Sequence, residues 1–263
     1  MNDYEEQTMT RPVALVTNDD GIDSFFFTEL VTALTAHFDV CIVAPAKEQS
    51  WASRAFSRFT PVTVEAREGF PGPAWAVYGT PSDCVNMALG NLLEVRPDVV
   101  VSGINLGFNV TLPLVLCSGT VAAAVEGALW GVPAVACSMA LPKELFMDVK
   151  AAKGHHPEVK APVEAAAVHT ATLAATLVGQ PMERPVVHNL NFPFSVTAET
   201  PTEETVLSHI RLGGCFEAEG EGQYRFGFPM DRQPVYVPEN ADVSCLQRGH
   251  VSHTVLDFGR LGG

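Results

Sequence analysis

The chain predicts an α/β fold: a Rossmann-like, doubly wound, mostly parallel sheet with a β-rich arm at its C-terminal end. Three observations lead there. Short apolar runs recur and each stops at a polar turn. Segments of helical period stand between those runs. Past about residue 194 the pattern gives way to Gly, Pro and short alternating stretches. Apolar strands alternating with helices imply a parallel sheet with right-handed crossovers, whereas short alternating runs imply hairpins.

The run from Pro12 to Thr17 (PVALVT) reads as the first buried strand, because both faces of a parallel strand are covered and its apolar residues are continuous. Ser24 to His37 places Phe27, Leu30, Val31 and Leu34 at helical spacing, and Val40 to Pro45 (VCIVAP) is the second strand. TPVTVEA and AWAVY suggest two extended segments between residues 55 and 78. Thr80 is placed to cap a helix from Pro81 towards Leu93, with proline at the first position, where its missing N–H costs nothing.

Asp98 to Ser102 (DVVVS) is a further strand, followed by a loop rich in Gly and Asn and then by a helix that Ser118-Gly119-Thr120 opens. PAVACS (133–138) and VVHNLN (186–191) are the next strands, with a helix from Ala161 to Leu177 between them. The polar stretch before that helix, with its KGHHPEVK, reads as a flexible connection. The expected organisation is a disordered tail over 1–11, a core over 12–193 with a flexible linker at 140–160, and a β-hairpin arm over 194–263 that joins subunits.

Composition narrows the function classes. The 263 residues are 47% apolar and 17% charged, the balance of an ordinary globular protein long enough to bury a core. The formal charge of −14 argues against binding to nucleic-acid duplexes or anionic membranes, whose surfaces repel it. The apolar runs are too short and too interrupted to span a membrane, and the polar, acidic first ten residues lack the features of a secretory signal. Six scattered cysteines without paired spacing fit reduced thiols, and the expected location is cytoplasmic.

Ligands of open parallel sheets bind beyond the carboxyl ends of the strands, and three ends here carry suggestive chemistry. The first runs into Asn18-Asp19-Asp20-Gly21, where a turn can bring adjacent carboxylates to one ion. Ser50 lies five residues beyond the proline that closes the second, and Asn105 lies in the loop after the third. Asp19, Asp20, Ser50 and Asn105 form an all-oxygen set with two negative charges, suited to Mg²⁺ or Mn²⁺, with Ca²⁺ as a third candidate. Taken singly, an Asp-Asp-Gly is most often a turn and a serine carries almost no signal; only their joint placement raises them above that reading.

Ser118-Gly119-Thr120 is a second candidate, since a helix N-terminus offers free N–H groups to a phosphate, although Ser118 would also serve as an ordinary cap. His155 and His156 read as a solvated segment and His188 as a core residue. No dinucleotide fingerprint, Walker lysine motif or Gly-x-Ser-x-Gly elbow is present.

Read in order, VTNDDG, VAPAKEQS, GTPSDCVNMAL, RPDVVVSGINLGFN, CSGTVAAAVEGALWGVPAVACS and HNLNFP resemble the successive signatures of the SurE survival-protein family of 5′/3′-nucleotidases. The resemblance implies a metal-dependent phosphatase acting on a small phosphorylated substrate, with nucleoside monophosphates first in line, and a homo-oligomer, dimer or tetramer, joined through the arm. It implies that Asp19 and Asp20 bind the metal and act catalytically with Ser50 and Asn105 completing the ligands, and that Asn18, Asn109, Ser118, Gly119 and Thr120 surround the phosphate. Three features depart from the family pattern: Ser50-Trp51-Ala52-Ser53-Arg54 with extra residues before Thr60, the apolar LPLVLC loop, and Cys117 in place of the usual tyrosine. They motivate two alternatives, a phosphatase of a non-standard metabolite and a non-catalytic ligand-binding homologue.

Overall fold

The computed structural model describes residues 11–228 and 232–261, so nearly all of the expected tail lies outside the described residues. In chain order the elements are β1 (Val13–Thr17), α1 (Phe25–Leu34), β2 (Asp39–Pro45), β3 (Val64–Ala66), β4 (Ala74–Val77), α2 (Pro81–Met87), β5 (Val99–Leu106), α3 (Leu112–Cys117) and α4 (Gly119–Leu129). There follow β6 (Ala134–Met139), α5 (Lys143–Ala151), α6 (Lys160–Leu177), β7 (Val186–Phe192), β8 (Thr202–Thr205), β9 (His209–Leu212), β10 (Phe216–Gly220), β11 (Gln223–Phe226), β12 (Arg232–Tyr236), α7 (Asp242–Gln247) and β13 (Val251–Asp257).

The main sheet has nine strands in the order β3-β4-β2-β1-β5-β6-β7-β13-β8. From β4 to β7 all neighbours are parallel, and β3 and β13 pair antiparallel with β4 and β7. The chain builds outward from β1 on one side, then returns to lay β5 on the other, so the strand order reverses between β1 and β5. That is the topological switch point, where the crevice of a doubly wound sheet opens.

Alternation along each strand decides which core it feeds. Leu15, Val43, Val77, Val100, Ala134 and Val187 pack into the core under α2 and α4. Ala14, Val16, Ile42, Val99, Val101 and Val135 face the other way, into the core under α1 and α6. With both faces covered, these strands are largely apolar, and buried polar residues enter only towards their carboxyl ends, as Thr17, Ser102, Ser138, Asn189 and Asn191 do.

The Thr80 cap is present as a full capping box: its hydroxyl accepts from the Asp83 amide while the Asp83 carboxylate accepts from the Thr80 amide. The helix it starts passes after Met87 into a wider π turn over Ala88–Leu92.

Two expectations of local structure are corrected. The stretch 140–160 is not an irregular connection but holds α5 and a short 3₁₀ turn at Pro157–Val159. Val149 is fully buried, Leu145 packs beside it on the α1–α6 core, and Lys150 pairs with Glu48 at 2.7 Å. Residues 112–117, read as an apolar loop, form the short helix α3, whose Leu114 and Val115 are buried.

The C-terminal region divides. β9–β12 and β10–β11 form exposed two-stranded ribbons, as the alternating runs suggested, whereas β8 and β13 return to the main sheet. β13 lies antiparallel against β7 over Ser252–Asp257, and Thr205 of β8 meets the hydroxyls of Ser252 and Thr254 at 2.8 and 2.7 Å. No helix among the described residues is long and apolar enough to cross a membrane.

Candidate active site at the sheet switch point

β1 ends at Thr17, and Asn18 closes the following turn by donating its side-chain amide to the Gly21 carbonyl at 2.9 Å. Gly21 has φ +100°, a conformation that a side chain would strain. The turn leaves Asp19 buried and Asp20 partly buried, each with one carboxylate oxygen held by a donor far away in sequence. The Thr120 hydroxyl donates to Asp19 Oδ1 at 2.7 Å, and the Leu106 amide donates to Asp20 Oδ2 at 2.7 Å.

These bonds bring the dispersed candidates together. Leu106 is the neighbour of Asn105 at the end of β5, so Asp20 is tied to the strand that carries it. The Gln49 amide donates to the Asp19 carbonyl at 2.7 Å, which seats the residue before Ser50 on the same turn. A Cβ on Gly119 would lie 2.9 Å from Asp19 Cβ and 3.2 Å from the Gln49 carbonyl oxygen, so only glycine lets α4 begin this close to the acid pair. Asp19, the Ser50 loop, the end of β5 and the first turn of α4 therefore meet at one place.

The electrostatics follow from that enclosure. Burial pushes the Asp19 carboxyl up to about 6, against the hydrogen bonds from Thr120, which pull it down. Burial and then the adjacent Asp19 charge push Asp20 up to about 8. Two neighbouring carboxylates with little water to screen them resist joint ionisation, and a cation would relieve the strain.

The other expected residues take definite positions. Ser50 is exposed, and its hydroxyl donates to Glu48 Oε1 at 2.6 Å. Glu48 is held below the usual carboxylate range, against its own partial burial, by Lys150 and by that serine. Ser118 caps α4 by accepting from the Val121 amide at 3.1 Å, so the capping reading holds for its hydroxyl. The Thr120 hydroxyl and backbone amide both serve Asp19, which leaves the Gly119 amide of that turn to face an anion and removes Thr120 from direct contact with one.

Asn109 is buried, and its side chain donates to Ser138 Oγ at 2.8 Å. Its backbone is held from β7: the amide donates to Asn191 Oδ1 at 2.7 Å, and the carbonyl accepts from the side chains of Asn189 and Asn191 at 2.9 and 3.1 Å.

Sequence reasoning passed over Glu48, Lys150, Ser138, Asn189 and Asn191. The two asparagines stand within the HNLNFP run, and a polar residue recurring every second position at the end of an apolar strand was the signal available. Glu48 and Lys150 offered none, because their pairing spans 102 positions. His188 is half-buried, with Nδ1 2.9 Å from Nε2 of His253 on β13, and burial lowers it to about 4. A cavity of about 300 Å³ beside it opens at the amino ends of β6 and β7, away from the acid pair.

Comparison with known proteins finds relatives along most of the chain. A family profile described as Survival protein SurE matches residues 14–213. A protein named 5′-nucleotidase SurE from Maridesulfovibrio salexigens is 36% identical over 255 residues, covering 93% of this chain and 92% of its own. One of the same name from Pelobacter propionicus is 39% identical over 251 residues, covering 92% of each. The crystal structure of SurE protein from Aquifex aeolicus superposes with a TM-score of 0.71 at 23% identity, over 94% of this chain and 93% of that one, a likeness of fold. With the profile spanning most of the core and relatives this similar over nearly their whole length, the chain belongs to the SurE survival-protein family.

Proposed function

We propose that the protein is a divalent-metal-dependent phosphomonoesterase that hydrolyses nucleoside monophosphates to nucleoside and phosphate. The observation that carries the reading is the enclosed pair Asp19–Asp20, fixed at the switch point against the first turn of α4. Relatives of this chain bear the name 5′-nucleotidase, which favours a nucleotide over a non-standard metabolite and turnover over mere binding.

The donor set fits a hard cation such as Mg²⁺ or Mn²⁺: two carboxylates whose joint charge is costly without one, the Asn105 amide and the Ser50 hydroxyl. The Ser50 hydroxyl donates a hydrogen bond to Glu48 and so can turn its lone pairs to an ion. When bound, such an ion would polarise a phosphoryl oxygen, making phosphorus more electrophilic, and would make a water more acidic. Asp19 and Asp20 would hold the ion, and one of them would orient the attacking water and take its proton. The backbone N–H of Gly119 would bind a phosphate oxygen at the positive end of the α4 dipole, while the Thr120 amide and hydroxyl hold Asp19 beside it. Asn18 and Asn109 shape the two loops around the phosphate, Asn18 through Gly21 and Asn109 through Ser138 and β7.

The exposed ribbons β9–β12 and β10–β11, with Phe216, Tyr224 and Tyr236 largely in solvent, are the surfaces through which copies of the chain would associate. Six free cysteines among the described residues suit a reducing, cytoplasmic setting.

Phosphate release from a panel of nucleoside monophosphates, ribose 5-phosphate and an aryl phosphate, with and without chelator, tests the reading. Nucleotide turnover that stops with chelator and returns with Mg²⁺ or Mn²⁺ is expected, as is loss of most turnover in Asp20→Asn with the fold intact. Nucleotide turnover indifferent to chelator, or full activity in Asp20→Asn, would defeat it.

A further inference from the structure

We infer that Trp51, backed by Phe226 and Phe228 at the open end of the β10–β11 ribbon, is the wall on which this enzyme stacks the base of its substrate. The inference rests on the nucleotidase reading above and names the part of the molecule that reads the leaving group.

The loop that carries Trp51 is pinned on both sides to the phosphate turn. Before it, Gln49 binds the Asp19 carbonyl and lies against Gly119. After it, the Ser53 amide donates to the Cys117 carbonyl at 3.1 Å and the Ser53 hydroxyl donates to the Leu116 carbonyl at 2.8 Å. Trp51 is therefore the apex of a short loop whose two feet stand on residues 116–119, beside the Gly119 amide offered to phosphate. Consecutive Cα atoms are about 3.8 Å apart, so the indole is within one nucleoside's reach of that turn.

The backbone at Trp51 is itself unusual, with φ +62°, and Ser53 follows at +50°. A bulky residue in the left-handed region is costly and persists only where its surroundings hold it there. Here those surroundings are aromatic. Trp51 meets Phe226 with ring centroids 4.9 Å apart and Phe228 at 5.8 Å, both in T-shaped contact. Neither phenyl ring stacks parallel on the indole, and both stay 43% exposed. The Gly227 amide between them donates to the Cys215 carbonyl at 3.0 Å, so the ribbon holds this end of itself in place.

An aromatic cluster kept partly open to solvent beside an anion-binding turn suits a ligand that joins a phosphate to a flat π system. Base–aromatic stacking is tolerant of base identity, since every base presents a π face. The proposal therefore predicts preference for nucleotides as a class over phosphates without a base.

The test compares the ratio of kcat/KM for AMP over ribose 5-phosphate in the intact enzyme and in variants. Trp51→Ala should lower that ratio by about 10- to 100-fold, the range expected when one base loses its stacking partner. Trp51→Phe should recover most of it, and Phe226→Ala, which leaves the indole in place, should shift it in the same direction by a smaller factor. An unchanged ratio in Trp51→Ala, or an equal loss on both substrates without recovery in Trp51→Phe, would overturn the wall while leaving the nucleotidase reading intact. A parent enzyme that turns over ribose 5-phosphate but no nucleotide would overturn both.

Discussion

The Thr120 hydroxyl donates to Oδ1 of Asp19 at 2.7 Å, joining the first turn of α4 to the end of β1 across 101 positions. Both residues are buried, so the bond is shielded from water and sets where the carboxylate points. Thr120→Val keeps the volume and removes the donor. The fold should lose about 1–3 kcal/mol, the cost of a buried polar partner left unpaired. Turnover should fall about 10- to 100-fold, because a carboxylate displaced by a fraction of an ångström holds a cation poorly. Thr120→Ser should restore most of it. Activity equal to the parent in Thr120→Val, measured across a metal titration, would remove Asp19 positioning from the account.

The raised acids make a second prediction, on stability and pH. Ordinary aspartates lose their protons near 3.8, whereas Asp19 and Asp20 in the folded chain do so near 6 and 8. Between those limits the folded state holds protons that the unfolded chain has released, so metal-free stability falls as pH rises from about 4 to 8. Chelated parent and Asp20→Asn, unfolded in denaturant at several pH values, isolate the effect from other titrations. The parent should lose about 1–3 kcal/mol relative to the variant over that span. Excess Mg²⁺ should cancel the loss. A parent-minus-variant difference that stays level from pH 5 to 8 would contradict the shared burial of the pair.

What the sequence revealed and what it hid divide along a physical line. β1, β2, β5, β6 and β7 are covered on both faces, so their apolar runs name them without any partner in view. Asp19, Asp20 and Asn105 stand at the ends of such runs, which is why they could be singled out as candidates, whereas Gly119 was singled out by the helix start that Ser118 caps. α5 was not, because a single fully buried residue, Val149, and the cross-chain pair Lys150–Glu48 anchor it, and neither makes a local pattern. β8 and β13 were misread as part of an arm because their inward contact is a cluster of hydroxyls, Thr205 with Ser252 and Thr254, which looks polar in a sequence. The Trp51 loop was visible only as a departure, and its meaning depends on Phe226 and Phe228, about 175 positions downstream.

Asp242 yields a third prediction. It is fully buried at the start of α7 and accepts four bonds: from the Thr111 amide at 2.5 Å, the Ser208 amide at 3.0 Å, the Ser208 hydroxyl at 2.6 Å and the Val243 amide at 2.8 Å. Thr111 has φ +67° and immediately precedes α3, so the carboxylate stabilises the strained residue that launches the path to the first turn of α4. Asp242→Asn puts an NH₂ where an acceptor is needed and should cost about 2–4 kcal/mol. A raised KM should accompany the loss, since α3 carries the residues to which Ser53 is pinned. A variant as stable as the parent in denaturant melts would mean that the C-terminal segment rests on its apolar contacts instead.

Glu126 makes the last. It sits on α4 with its side chain 3% exposed, and four donors converge on it: Arg54 through Nε at 3.1 Å and Nη2 at 2.5 Å, Asn86 Nδ2 at 2.9 Å and Trp130 Nε1 at 3.0 Å. Arg54 is 42% exposed and belongs to the stretch that follows Trp51, so this pair ties the lengthened loop to the helix that opens at Gly119. Glu126→Ala leaves three groups without their acceptor, but Arg54 can turn into water, which limits the penalty to about 2–4 kcal/mol. The loop beyond Ser53 should then loosen while the acid pair, held by Thr120 and Leu106, keeps its place. Hydrogen exchange should rise at residues 54–58 and stay unchanged at residues 106 and 120, with nucleotide KM rising more than kcat falls. Equal deprotection across both regions would show that Glu126 supports α4 as a whole, not the loop in particular.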